Sequence, residues 1–196
     1  HPLQPPGRIG ADLGFEKFMD IKVRQGGPEP SAAVVVTTIR GLKWHGGVAM
    51  KDMATPDPEA VRRGTGNLKN ALNIVGMYGL PAVVAINRFP DDSPEEVAIA
   101  REAAIAAGAV GVAEAKGFAE GGDGMTKLAA AVVEAADRPS DVKLLYNDDD
   151  SFFDKVEHMA KSLYLAGDVK WGPMTRTTAR RFADNGWNFP VCIAKT

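Results

Sequence analysis

The sequence predicts an α/β fold with a mostly parallel sheet and helices on both faces. Three observations carry this reading. The runs Ala32–Ile39 and Ala82–Asn87 are short, apolar and rich in β-branched residues, as strands buried on both faces are. Between them lies a long amphipathic stretch, Pro58–Tyr78, of the length a parallel crossover needs. Further strand-like and helix-like segments then alternate towards the C-terminus, the pattern of a doubly wound sheet.

In order, Ala32–Ile39 reads as the first strand. Pro58 suits a first helical turn, Leu68, Leu72, Val75 and either Ile74 or Met77 form an apolar stripe, and Gly79 suits the helix stop. Leu80-Pro81 launches the strand Ala82–Asn87. Ser93, Pro94 and Glu96 form a capping box that opens a helix running to Ala107, before Gly108. Val110–Ala113 is a short strand, Gly117–Gly124 a loop with four glycines, and Met125–Ala136 a helix with Leu128, Val132 and Val133 on one face. Val142–Tyr146 reads as a third good strand. Phe152–Tyr164 is an amphipathic helix through Phe153, Val156, Met159, Ala160 and Leu163, Thr175–Ala183 another helix, and Pro190–Ala194 a last strand. Residues 1–9 read as a disordered arm, 10–140 as part of a nucleotide-binding α/β domain, and 141–196 as the start of a second, smaller α/β domain. A chain that stops just after a strand reads as incomplete.

The bulk numbers exclude several classes. The net charge is −2 and the pI about 6.0, without the basic field that non-specific nucleic-acid binding needs. No apolar run approaches the roughly 18–20 residues of a membrane span. A single cysteine, Cys192, rules out an internal disulfide framework and fits a reducing, cytoplasmic setting. A homo-oligomer is compatible with all of this.

Two motifs carry chemistry. In Val36–Gly47 a β-branched run ends in Arg40, Lys43, His45 and the pair Gly46-Gly47. One reading is a solvated basic loop. The other is a site for an oxyanion or phosphate at a strand's C-terminal tip: a bidentate guanidinium, a point-charge amine, and glycine amides open to close approach. In Val83–Asp92 a strand ends in Asn87, Arg88 and Phe89. An asparagine amide can pair with a purine edge and a phenyl ring can stack on it, as at the base site of P-loop nucleotidases; an ordinary βα loop is the plainer reading.

Other candidates are weaker. Gly117 and Gly122 have Walker A spacing, but Asp123 and Gly124 stand where that motif needs Lys and Ser or Thr, so the loop reads as a lid or turn. No other stretch of the 196 residues satisfies the motif. Asp148-Asp149-Asp150 could hold a hard cation, or form a turn with Asp150 or Ser151 as helix cap. His158 reads as structural or solvent-facing and Cys192 as inert. Trp171 and Trp187 pack a domain edge or stack on a flat ligand.

Five segments, in order, resemble formate–tetrahydrofolate ligases. Gly10–Phe18 is similar to that family's GADLGAEKF stretch, with Phe15 departing. Val36–Gly47 resembles VATxRALKxHGG, departing at Thr37 and Gly41. Ala85–Pro90 matches AINRFP. Phe118–Gly124 is similar to a WAKGGEGG-like loop with Glu120 in place of Lys, and Phe189–Thr196 to LPxCMAKT. Asp148 and Asp150 stand where the family has apolar residues, and Ile9 where it has Phe. The family's Walker A loop lies upstream of the segment matching Gly10, so the resemblance implies a central fragment of a P-loop-nucleotidase-like enzyme.

The resemblance implies an ATP-dependent ligation of formate to tetrahydrofolate through formyl phosphate, giving 10-formyltetrahydrofolate, with Mg²⁺ accompanying ATP. Arg40, Lys43 and His45 are then expected near the phosphates as catalytic groups, Gly46, Gly47, Asn87, Arg88 and Phe89 at the nucleotide, and Trp187 and Pro190 on the folate side, with no protein-held metal. Without a Walker A loop the 196 residues are expected to show negligible turnover alone, tested by isotopic ATP–formate exchange. A non-catalytic nucleotide- or folate-binding module is the alternative; a different P-loop nucleotidase or amidoligase-like enzyme, and a poorly folding remnant, are further rivals.

Overall fold

The computed structural model describes residues 14–139 and 141–193. They form two compact units, residues 30–139 with 141–142, and residues 14–29 with 143–193.

The first unit is built on three parallel strands in the order β1 (Ala33–Thr37), β2 (Ala82–Asn87), β3 (Gly111–Ala115). Val34 and Val36 pair with Val83 and Ala85, and Ala85 pairs with Ala113, so these residues share one face. On that face helix α6 (Thr126–Ala136) seals Val83, Ala85, Ala113 and Ala115 with Leu128 and Ala135. Small residues dominate the contact, which lets the helix sit close to the sheet. Val84 and Ile86 point the other way and are also fully buried, where α3 (Pro58–Met77) and α4 (Pro94–Ala106) contact β2. Central β2 is therefore covered on both faces, as its continuous apolar run predicts. Edge strand β1 differs: Val34 and Val36 are 44% and 66% exposed.

Local signals set the helices. Asp57 caps α3, its Oδ1 accepting from Ala60 N at 2.9 Å, with Pro58 at the first helical position. Ile74, rather than half-buried Met77, completes the stripe with Leu68, Leu72 and Val75. Gly79 takes the left-handed φ of +74° that ends the helix, and a Cβ there would meet Asp141 O at 1.8 Å. The Ser93–Glu96 capping box forms as predicted.

The first strand is shorter than its sequence suggests. Thr38 ends it: its hydroxyl accepts from Gly41 N at 2.9 Å and starts helix α2 (Ile39–His45). Ile39, a β-branched residue read as strand, is buried in this helix instead. Arg40, Lys43 and His45 thus lie on a helix, not on a loop. The glycine-rich stretch is likewise partly helical, with α5 at Gly117–Glu120 and a 3₁₀ turn at Asp123–Met125.

In the second unit α1 (Gly14–Lys17) runs into a π-helical segment, Phe18–Val23. Helix α7 (Phe152–Ser162), capped by Ser151, buries Met159, and Leu163 just beyond it is buried too; helix α8 (Pro173–Asp184) buries only Ala179. Neither Val142–Tyr146 nor Pro190–Ile193 forms the predicted strand, and Ala194 lies outside the described residues. Side chains replace the ladder there. The Tyr146 hydroxyl donates to Val191 O and accepts from Val191 N, both at 2.7 Å, and Ile193 N donates to Glu16 Oε1 at 3.0 Å. Pro190 also lacks the N–H that a central strand uses.

Glu16 is fully buried, and desolvation raises its pKa above the ordinary value near 4.5, outweighing the Ile193 N–H and the Lys17 charge. A raised folded-state value means that the group's stabilising contribution is complete below about 4.5 and is lost as pH rises through the folded value. Glu16→Gln is therefore expected to be relatively more stable than the parent at pH 8 and to lose that advantage towards pH 4.5. Thermal melts of both proteins across this range check it; a stability difference independent of pH contradicts it.

Candidate functional site

Parallel strands bring their C-terminal ends to one edge of the sheet, the usual ligand position in open α/β folds. Here β1 leads into α2, β2 into Asn87-Arg88-Phe89-Pro90, and β3 into Lys116-Gly117-Phe118. Asn87 is exposed at the tip of β2.

Because α2 is a helix, its three basic residues diverge. Arg40, in the first turn, reaches the β2–α4 loop: its Nη2 lies 2.7 and 3.0 Å from the two Asp91 carboxylate oxygens, and its Cζ lies 4.2 Å from the Phe89 ring centroid. Burial pushes the Asp91 pKa up, but the Arg40 hydrogen bond and charge, with the backbone hydrogen bond, leave it below the usual carboxylate range.

Lys43, one turn on, is completely buried. Its Nζ sits 3.2 Å from Glu96 Oε1 and donates to Thr55 O at 3.1 Å. Glu96 also accepts from Asp57 N at 2.8 Å and Ser93 N at 2.9 Å. Burial opposes ionisation of Glu96, yet these hydrogen bonds and Lys43 hold its pKa below the usual range. The ammonium ties α2, the loop before α3 and the start of α4 together.

His45, in the last turn, is exposed and faces α3, with its Nε2 3.0 Å from Asn67 Nδ2. Gly46 and Gly47 use their amides internally, donating to Leu42 O and Trp44 O. A Cβ on Gly46 would lie 2.0 Å from Ala60 O, so this glycine serves the close packing of α2 on α3.

Arg88 bridges β2 to β3: its Nη1 is 2.6 Å from Glu114 Oε2, and it holds the Glu114 carboxyl below the usual range. Arg101 approaches the other Glu114 oxygen at 3.8 Å and donates to Val112 O at 2.8 Å. Beside this ladder lies a polar cavity of about 370 Å³, lined among others by Glu114, Lys116, Asp123, Gly124 and Lys127. Phe118, on the same loop, is wholly exposed. Sequence reasoning placed Asp91 in the motif after β2 but not as the partner of Arg40, and it missed Glu114 and Phe118. Of those two, Phe118 carried a local signal, an aromatic residue inside a glycine-rich loop.

Elsewhere, Asp148–Asp150 forms a turn, with Asp150 accepting from Asn147 N, Asp148 pairing with Arg24 at 2.8 Å, and Ser151 as the cap. His158 is exposed and Cys192 is half-buried outside any strand. Trp171 packs edge-on to Phe153 at 4.7 Å, a structural contact. Trp187 is half-exposed between Phe182 and Phe189, at 5.8 and 6.4 Å, and Pro190 is partly buried nearby in sequence. Among the described residues no cluster of three metal-ligating side chains occurs, and no helix is long and apolar enough to cross a membrane.

A family model for formate–tetrahydrofolate ligase matches residues 7–196. Curated relatives of that name include one from Symbiobacterium thermophilum, 46% identical over 96% of this chain and 34% of its own length. One from Desulforamulus reducens is 42% identical over 96% of this chain and 35% of its own. One from Roseiflexus sp. is 43% identical with the same coverage. The chain spans about a third of the length of these relatives.

Proposed function

Since the chain belongs to the formate–tetrahydrofolate ligase family, we propose that it supplies part of the site at which formate is joined to tetrahydrofolate with ATP. The observation that carries this is the match along nearly the whole chain, including the segments that end β1 and β2. In this reading a formate oxygen attacks the ATP γ-phosphorus and ADP leaves. The N10 nitrogen of tetrahydrofolate then attacks the formyl carbon, phosphate leaves, and the amine proton passes to a base. Exposed His45 is a candidate for that proton. Mg²⁺ enters bound to the ATP phosphates, its usual mode.

At the sheet edge, exposed Asn87 and the Phe89 ring meet the nucleotide. Arg40 belongs to this wall through its stack on Phe89. Lys43, Arg88, Gly46 and Gly47 shape the wall from behind, because their polar groups or backbones are already engaged. In the second unit, taken by itself, half-exposed Trp187 and partly buried Pro190 serve as folate contacts. The parallel strand order with ligand groups at the C-terminal edge supports a P-loop-nucleotidase-like architecture.

One observation favours the alternative, a non-catalytic nucleotide- or folate-binding module: the amine of Lys43 and the amides of Gly46 and Gly47 are spent within the protein. Titrating ATP and tetrahydrofolate separately into the chain tests the site. Binding of ATP at the sheet edge supports it, and binding of neither ligand overturns it. Formate-dependent isotope exchange then separates ligase from module.

A further inference from the structure

We propose that Asp91 and Arg40 are positioning residues, which hold the Phe89 ring in the orientation that receives a planar heteroaromatic ligand at the end of β2. The ligand half of this proposal rests on the sheet-edge site above; the positioning half does not.

Arg40 occupies a place that a cation would not choose by itself. It lies in the first turn of α2, where the aligned peptide dipoles disfavour positive charge. The ionised Asp91 carboxylate, 51 residues away in sequence, compensates with two oxygens on one nitrogen. The guanidinium then lies over the Phe89 ring, and a stacked cation holds one aromatic face. The same loop is locked from beneath: Phe89 N donates to Asp92 Oδ2 at 2.8 Å, and Asp92 N donates back to Phe89 O at 3.1 Å. The ring is thus fixed through its backbone and through one face.

Two details separate this role from phosphate binding by Arg40. Its Nη2 is already taken by a carboxylate, which a phosphate would have to displace. Its Nε is buried with no hydrogen-bond acceptor among the described residues. An arginine set to grip an anion presents its fork, with Nε and Nη2 side by side. This one gives up hydrogen bonding at Nε while keeping its stack on the ring. A ring ordered before the ligand arrives loses less freedom on binding.

The test uses the full chain labelled with 4-fluorophenylalanine, the Phe89 signal being assigned by its loss in Phe89→Leu. In Asp91→Asn and in Arg40→Lys, which keeps the charge but not the planar stack, that signal is expected to shift and broaden. Calorimetry with ATP and with tetrahydrofolate identifies which ring is received, as the ligand weakened by Phe89→Leu. Asp91→Asn is expected to weaken that ligand about threefold to tenfold, the size of a lost cation–π contact, and to add nothing when combined with Phe89→Leu. An unmoved fluorine signal overturns the positioning role. Independent, additive losses, or tighter ATP binding by Asp91→Asn, overturn it in favour of Arg40 as a phosphate ligand with Asp91 as its competitor. If Phe89→Leu weakens neither ligand, the ligand half falls with the sheet-edge site, while the fluorine shift still decides the positioning.

Discussion

Replacing Lys43 with alanine is expected to lower stability by about 3–5 kcal/mol, the cost of leaving a buried charge without its partner. Lys43 and Glu96 are both fully buried, so no solvent would screen the orphaned carboxylate. Glu96 cannot simply turn away, because it also accepts the amides of Asp57 and Ser93. Chemical denaturation measures the loss. Pairing Lys43→Met with Glu96→Gln is expected to restore most of it, since a neutral pair removes the buried charges and glutamine can still serve the capping box. A loss below about 1 kcal/mol for the alanine variant would mean that the pair is not buried as described. The result also bears on function: a lysine that holds three segments together affects ligand binding through the fold, and the double variant is expected to bind ligand as the parent does.

Gly64→Ala is the second large effect. A Cβ at this position would stand 1.8 Å from Leu42 O and 2.9 Å from Gly46 N, both backbone atoms of the facing segment. Helices α2 and α3 would have to separate, and overpacking of this kind costs about 1–3 kcal/mol or more. Alanine regains at most about 1 kcal/mol of helix propensity, so the net change is destabilising. Gly66, two residues on in the same helix, is the internal control. Nothing lies within 4 Å of a Cβ there, so Gly66→Ala is expected to stabilise by about 0.5–1 kcal/mol. Opposite signs at these two positions, read by thermal denaturation, mark the close approach of α2 to α3; equal signs would contradict it.

What the sequence revealed and what it hid follow from the range of the interactions. Strand β2, helix α3 and the Ser93–Glu96 cap are written in neighbouring residues: a continuous apolar run, a 3.6-residue stripe, a box of four positions. These were legible. Thr38 as a cap was hidden by the β-branched Ile39 after it. The false strands at Val142–Tyr146 and Pro190–Ile193 are apolar, but side chains distant in sequence partner their backbone: the Arg24 guanidinium donates to Tyr146 O, and the Tyr146 hydroxyl and Glu16 carboxylate take up Val191 and Ile193, which no local pattern announces. Glu96 was legible as a cap, but not as the partner of Lys43, 53 residues earlier. The motif around Arg40, Lys43 and His45 was visible as chemistry; the helix that sends the three side chains to Asp91, Glu96 and Asn67 was not.

Titration of ATP into the isotope-labelled chain, followed by the NMR shifts of its backbone amides, tests the sheet-edge site most directly. Shifts concentrated at Asn87–Phe89 and at Lys116–Phe118, with weaker changes in the first turn of α2, are the expected result. Saturable shifts confined to other segments, or none at millimolar ATP, would contradict the site.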